Sequence, residues 1–286
     1  PPAASARPGP RAPARPTRSC RFLRDLLGLR VVAGDLVALG WRALLLVFVS
    51  LIVTVASGFL IARLLRQPRD TASVAATSVA VCGASAALAA SAMAPRREGL
   101  ERDTTVIIIA VSLLSSAVMI LYPAIAHLMA YTPQQTSLLL GAAIHDVAQV
   151  VGAGFAISPE VGVQAVTVKL IRVACLLPVV MAWGVFHARG RKMEPGANAA
   201  LPAMPFFLVG FFVLAAIASL GLVPAPIADI GKQSAGWALA AAVAAIGLKT
   251  SIGELRSVPG ALLVALLGQT LLQLLAVMLL IALLFN

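Results

Sequence analysis

Charge is scarce in this chain. Only 12% of its 286 residues are Asp, Glu, Lys or Arg, while 60% are hydrophobic and the mean hydropathy is +0.97. That balance excludes an ordinary soluble domain of this length. Acidic residues are the scarcer sign, 11 against 22 basic ones, and aromatic residues make up 5%. The basic excess sits in short connectors and an amino-terminal arm, with no aromatic-laced basic face, which argues against nucleic acid as a partner. Cysteine is rare as well. Cys20, Cys82 and Cys175 show no CxxC spacing and two of them lie in apolar segments, so neither a disulfide framework nor a zinc site is indicated. They read as small packing residues, and no metal or cofactor is expected. Strand-like alternation is missing too, which leaves an all-α membrane protein, a polytopic helical bundle.

What is present is a series of long hydrophobic runs. A bilayer core needs about 20 apolar residues per helix. Eight segments qualify as candidates: Trp41 to Leu65, Thr71 to Pro95, Thr104 to Ala130, Thr136 to Ile157, Val161 to Phe186, Leu201 to Leu222, Gln233 to Leu248 and Pro259 to Phe285. The second (TASVAATSVAVCGASAALAASAMAP) and fourth (LLLGAAIHDVAQVVGAGFAI) are rich in Gly, Ala and Ser and poor in Leu, which suits close packing or a broken helix. The polar residues inside the fourth favour a break there.

Loop charge bears on topology, because positive residues stay on the cytoplasmic side. If all eight segments cross, the Lys and Arg of the connectors from Arg63 onward divide 8 to 4 between the faces; if the second and fourth enter and leave by one face, Arg96, Arg97 and Arg102 change sides and the division becomes 11 to 1. The chain also contains a short internal repeat, whose sense is the same whether or not those two segments cross. GLRVVAGDL at residues 28 to 36 aligns with GLKTSIGEL at 247 to 255, each followed by an apolar helix, and the two copies run in opposite directions. Such inverted repeats are common in secondary transporters. Residues 1–27, rich in Pro and Arg, read as a disordered basic arm, and residues 28–286 as the transmembrane domain. The second copy is preceded by an apolar helix and the first by this arm. The reading therefore expects an amino-terminally truncated bundle lacking one or more helices of the first copy.

The few ionisable residues inside apolar runs mark a polar route, because charge in lipid is costly. They are His145, Asp146, Lys169 and Arg172. Lys169 and Arg172 lie on one side of a helix and repel each other unless something anionic is near. Counted from Val161, they fall about 12 and 16 Å along the fifth segment, near the middle of a core about 30 Å thick. Arg172 offers a fork of donors suited to a tetrahedral oxyanion, and Lys169 a compact charge. His145 and Gln149, four residues apart, are expected on one helix face with Asp146 at its edge, a proton-linked polar patch. Half-helix amino termini near Gly83 to Ser85 would add amide donors to the same anion.

The blocks SVAVCGASAALAAS, GAAIHDVAQVVGAGFA, VTVKLIRVACLLPVV and LPAMPFFLVGFFVLAAIASLG, in this order, resemble the YeiH family of bacterial proteins assigned as sulfate exporters, over roughly residues 22 to 285. The resemblance implies a multi-pass protein of the bacterial cytoplasmic (inner) membrane. It also implies kinship with the bile-acid symporter and sodium/proton antiporter folds, built of inverted repeats with discontinuous helices. Family members are longer at the amino terminus and usually carry Glu where Asp146 stands, one methylene longer in reach.

Each assignment has a plainer competitor. Lys169 snorkels to the interface if its helix starts later; Arg172 pairs with Asp146 as a structural lock; His145 is hydrogen-bonded in the core. Gln269 and Gln273 read as an interhelical hydrogen bond rather than a site. The expected function is secondary transport of a small anion, with sulfate first, by alternating access. Lys169 and Arg172 neutralise the anion while His145 and Asp146 exchange protons. The alternatives are an anion channel, or an intramembrane hydrolase with Ser85 or Cys82 as nucleophile and His145 as base. The expected partners are a small anion and membrane lipid, and a homo-oligomer is compatible with the sequence.

Overall fold

The computed structural model of the chain describes residues 18–95, 97–189, 224 and 258–285, the side chains of residues 18–39 and 188–189 excepted. Every regular element among them is an α-helix: α1 (Arg18–Leu64), α2 (Arg69–Ala80), α3 (Ala84–Met93), α4 (Leu100–Leu128), α5 (Pro133–Ala143), α6 (Val147–Ile157), α7 (Pro159–Ala174), α8 (Leu176–Arg189) and α9 (Gly260–Phe285). The chain is thus an all-α membrane protein. Residues 18–27 of the expected arm belong to α1, and residues 1–17 lie outside the described residues. So do the expected sixth and seventh segments and the second copy of the repeat. Helix α1 breaks at Gly40, whose φ of 71° is a left-handed conformation that glycine adopts at little cost.

Four stretches are long and apolar enough to cross a membrane: Gly40–Leu64, Leu100–Leu128, Pro159–His187 (α7 with α8) and Gly260–Phe285. The expected second and fourth segments are different. Each is two helices of ten to twelve residues joined at a tip, α2 to α3 and α5 to α6. At about 1.5 Å per residue each arm reaches some 15 to 18 Å, half of a hydrocarbon core.

Contacts at the helix ends settle where these arms begin and finish. Arg97, just after α3, meets Asp70 in the first turn of α2 and Asp103 in the first turn of α4, both at 2.6 Å. These two carboxylates, Asp70 first, hold the Arg97 guanidinium above its ordinary pKa. Hairpin α2–α3 therefore enters and leaves by one face, which also carries Arg63, Arg66, Arg69 and Arg102. The opposite face is marked by Arg42, which donates to the Leu284 carbonyl at 3.1 Å, and by Gln135 in the first turn of α5, which donates to that of Phe285 at 3.3 Å. From α5 the chain turns back through α6, whose Gln149 bonds Ser115 and Ser116 of α4 and whose Gly152 lies against Met119. Because α6 tracks α4 in the same direction, it returns to the face where α5 began. Span α7–α8 then crosses to the basic face, where His187 sits 3.2 Å from Ser73. Both hairpins are re-entrant, and they enter from opposite sides.

The core divides accordingly. One buried cluster joins Leu138–Leu140 and Ile144 of the second hairpin to Leu46, Tyr122, Val168 and Val277. Another joins Val74, Val79 and Ala87 of the first hairpin to Ile107, Val111 and Leu266. Close approach needs small residues: a Cβ on Gly141 of α5 would stand 2.4 Å from the Ala165 carbonyl oxygen of α7, and one on Gly154 of α6 would stand 2.8 Å from Gly162 Cα.

Candidate functional site

The two hairpin tips meet inside the bundle at the buried Lys169, and local sequence explains why each helix stops there. In the first, Val81 leaves helical geometry (φ −118°, ψ −83°) and Gly83 follows at φ 62°. The turn is closed by Gly83 N–H donating to Ser78 O at 2.9 Å and Ser78 Oγ donating back to Gly83 O at 3.0 Å. In the second, Ile144 is extended (ψ 139°) and Asp146 caps α6, its Oδ1 accepting from the Ala148 N–H at 3.1 Å. Helix α5 opens on a capping box of Thr132 and Gln135 with Pro133 at its first position, which starts the hairpin cleanly.

A half-helix ending in lipid leaves carbonyls without partners. Side chains from two spans supply donors. Lys169 Nζ of α7 donates to Val81 O at 2.7 Å and to Ile144 O at 2.6 Å. The Arg172 Nη2 group, one turn further, donates to Ala80 O. Gln273 Nε2 of α9 donates to Ala142 O at 2.8 Å and to Ala143 O at 3.3 Å, and Gln269 Nε2 donates to Thr54 O and Ala76 O. Lys169 and Arg172 have no exposed surface. Lys169 therefore does not snorkel. Nor does Arg172 lock onto Asp146: the ion pairs among the described residues are those of Arg97 alone. The negative partner of both cations is the carboxyl-terminal end of a helix dipole.

The expected patch of His145 and Gln149 needs correction. The helix breaks between them, so they share no face. His145 lies in the tip, fully buried, with Nε2 3.1 Å from Thr270 Oγ1 of α9, while Gln149 points to α4, accepting from Ser115 and donating to Ser116 Oγ at 3.1 Å. Gln149 is a packing residue of the second hairpin. Thr270, Ser115 and Ser116 are thus members of the polar centre that the sequence reading passed over. Ser85 and Cys82 stand together on the first tip, Oγ to Sγ 3.0 Å. His145 is engaged elsewhere, so a nucleophile–base contact is not among their hydrogen bonds.

Two features of this centre bear on a ligand. Arg172 keeps Nε and Nη1 without partners although both are buried, and unpaired buried donors are costly. The amino terminus of α3 has no side-chain cap, and Ala84 and Ser85 there are partly exposed, as are Asp146 and Val147 opposite. Counting about half an elementary charge per helix end, the four helix ends cancel, and Lys169, Arg172 and Asp146 in their ionised forms leave roughly +1.

Comparison with known proteins places this architecture in a family. A family model described as conserved hypothetical protein 698 matches residues 25–266. The chain is similar to UPF0324 membrane protein TauZ of Paracoccus denitrificans, with 44% identity over 246 residues, 86% of this chain and 72% of that protein. It is similar also to UPF0324 membrane protein RB0971 of Rhizobium meliloti (strain 1021), 39% identical over 86% of this chain and 71% of the relative. A third relative, a UPF0324 membrane protein of Bacteroides thetaiotaomicron, is 32% identical over 81% and 69%. No solved structure matches. With its four candidate spans, the chain belongs to the UPF0324 family of multi-pass membrane proteins.

Proposed function

We propose that the chain is a secondary transporter of a small oxyanion, with sulfate the first candidate, working by alternating access between the two opposed hairpins. The observation that carries this reading is Arg172: fully buried at the junction of the tips, bonded through Nη2 alone, with two further donor groups unpaired. A guanidinium fork of this kind suits two oxygens of a tetrahedral anion, and Lys169 one turn away adds charge. The Ser85 region supplies amide donors at the uncapped start of α3. Asp146, partly exposed at the second tip, is the group placed to exchange a proton, and its protonation raises the local charge towards that of a dianion. His145 orients the tip through Thr270. The resemblance to the YeiH exporters supports the same substrate class. The basic face, with Arg63, Arg66, Arg69, Arg97 and Arg102, is the cytoplasmic one by charge bias.

Radiolabelled sulfate flux in proteoliposomes tests the proposal. Saturable flux driven by a proton gradient, and lost in Arg172→Gln, is the expected result; flux that rises linearly with sulfate favours the channel, and unchanged flux in Arg172→Gln removes the site.

A further inference from the structure

We propose that Lys169 is a positioning residue, the joint that holds the tips of the two opposed hairpins at one fixed spacing. Its Nζ donates to Val81 O of the first tip at 2.7 Å and to Ile144 O of the second at 2.6 Å. Those carbonyls close half-helices that enter from opposite faces. The other polar anchors at the centre bond the carbonyls of one tip each: Arg172 bonds Ala80 O and Gln273 bonds Ala142 O and Ala143 O, while His145 of the second tip pairs with Thr270 Oγ1 and also faces the Val79 backbone of the first. Among the described residues Lys169 is the side chain bonded to both. An ammonium suits the task because its three donors fan out from one point, where a planar group is confined to a plane. The stem is held firmly too, because α7 lies against α5 where Gly141 meets Ala165 and Val168.

For one tip to move away from the other, Lys169 must give up one of the two carbonyls it bonds. The cost falls when something else takes the vacated donor, and an anion bound at Arg172 stands one helical turn away. Arrival of the anion then favours parting of the tips by differential binding. That consequence rests on the carrier reading, whereas the joint itself does not.

The test uses the full chain in detergent with Cys20→Ser and Cys175→Ser, leaving Cys82 on the first tip to react with N-ethylmaleimide. A parallel protein carries Cys82→Ser and Val147→Cys, placing the thiol on the second tip. Lys169→Met is expected to speed labelling at both tips by about tenfold or more, because two charge-assisted hydrogen bonds are lost. Lys169→Arg, a planar fork that keeps donors near both carbonyls, is expected to label more slowly than Lys169→Met though faster than the parent, and so separates loss of the joint from loss of the fold. Faster labelling at one tip only, or at neither, overturns the proposal. Sulfate provides the second arm. Labelling of the parent that rises with sulfate, and of Lys169→Met that does not, supports the exchange of carbonyl for anion. A parent indifferent to sulfate, with both tips loosened in Lys169→Met, keeps the joint and removes sulfate from the proposed function.

Discussion

Arg97 Nε lies 2.6 Å from Asp70 Oδ2, although the whole of α2 and α3 separates them in the chain. One ion pair at the mouth of the hairpin joins its entry to its exit, and Nη2 extends the link to Asp103 at 2.6 Å and Thr71 at 3.0 Å. Topology follows directly. Cysteines placed at Arg69 and Glu98, both exposed, should react with a membrane-impermeant thiol reagent from the same side, and cysteines at Gln134 and Glu160 from the other. Labelling of Arg69→Cys and Glu98→Cys from opposite sides would contradict the re-entrant first hairpin.

Removing the clamp should matter modestly. The Arg97 side chain is 39% exposed and its partners 11% and 31%, so screening limits the loss on Arg97→Ala to about 1 kcal/mol. A lower melting temperature in detergent, with the difference shrinking at high salt, is the expected result. A fall in stability that ignores salt would point to packing instead.

At the site, Arg172→Gln should cut the sulfate transport rate by roughly tenfold to a hundredfold, the range for losing a charged hydrogen-bonding group. Arg172→Lys is not a remedy, because a point charge cannot reproduce the fork that bonds Ala80 O and leaves two donor groups over. Initial-rate flux measurements across a range of sulfate concentrations check both.

Asp146 has two duties that substitution can separate. Asparagine caps a helix about as well as aspartate, so Asp146→Asn should keep the bond from the Ala148 N–H and the fold while removing the ionisable group. Its transport should lose its dependence on a proton gradient. Asp146→Ala should lose the cap as well, lowering stability by about 1 kcal/mol. Gradient-dependent flux surviving in Asp146→Asn would take proton coupling away from this residue.

Gly141 is a steric rather than a chemical requirement. An added Cβ would stand 2.4 Å from Ala165 O and 2.7 Å from Val168 Cβ. Gly141→Ala should therefore cost about 1–3 kcal/mol by overpacking, read as a drop in melting temperature. It should also draw Ile144 O away from Lys169, so labelling at Val147→Cys should rise with it.

Much of the centre is legible in the amino-acid sequence. Lys169 and Arg172 stand out because a charge inside an apolar run has few reasons to be there, and both are fully buried. The break in the fourth segment showed in His145 and Asp146, polar residues where a continuous helix would place apolar ones. Re-entrance showed only in the tally of loop arginines. What stayed hidden was the identity of the partners. A cation bonded to Val81 O or Ala80 O leaves no mark on composition, because every residue carries a carbonyl, so the charge pattern alone points to an anion or to Asp146 as the partner. His145 and Gln149 were placed on one face by helical spacing, which fails where the helix ends between them. Ser115, Ser116 and Thr270 escaped because hydroxyls within spans are commonplace, and their partners lie 31 to 125 residues away.

At the centre of this protein, Lys169, Arg172, Gln269 and Gln273 all donate to the main chain. Mutational tolerance should be lopsided in consequence. The acceptors at Ala80, Val81, Ala142, Ala143 and Ile144 are supplied by the peptide bond whatever side chain is attached, so these positions are free to drift among residues of similar bulk. The donors have no such latitude, and natural variation in the two tips should leave the wiring between them intact.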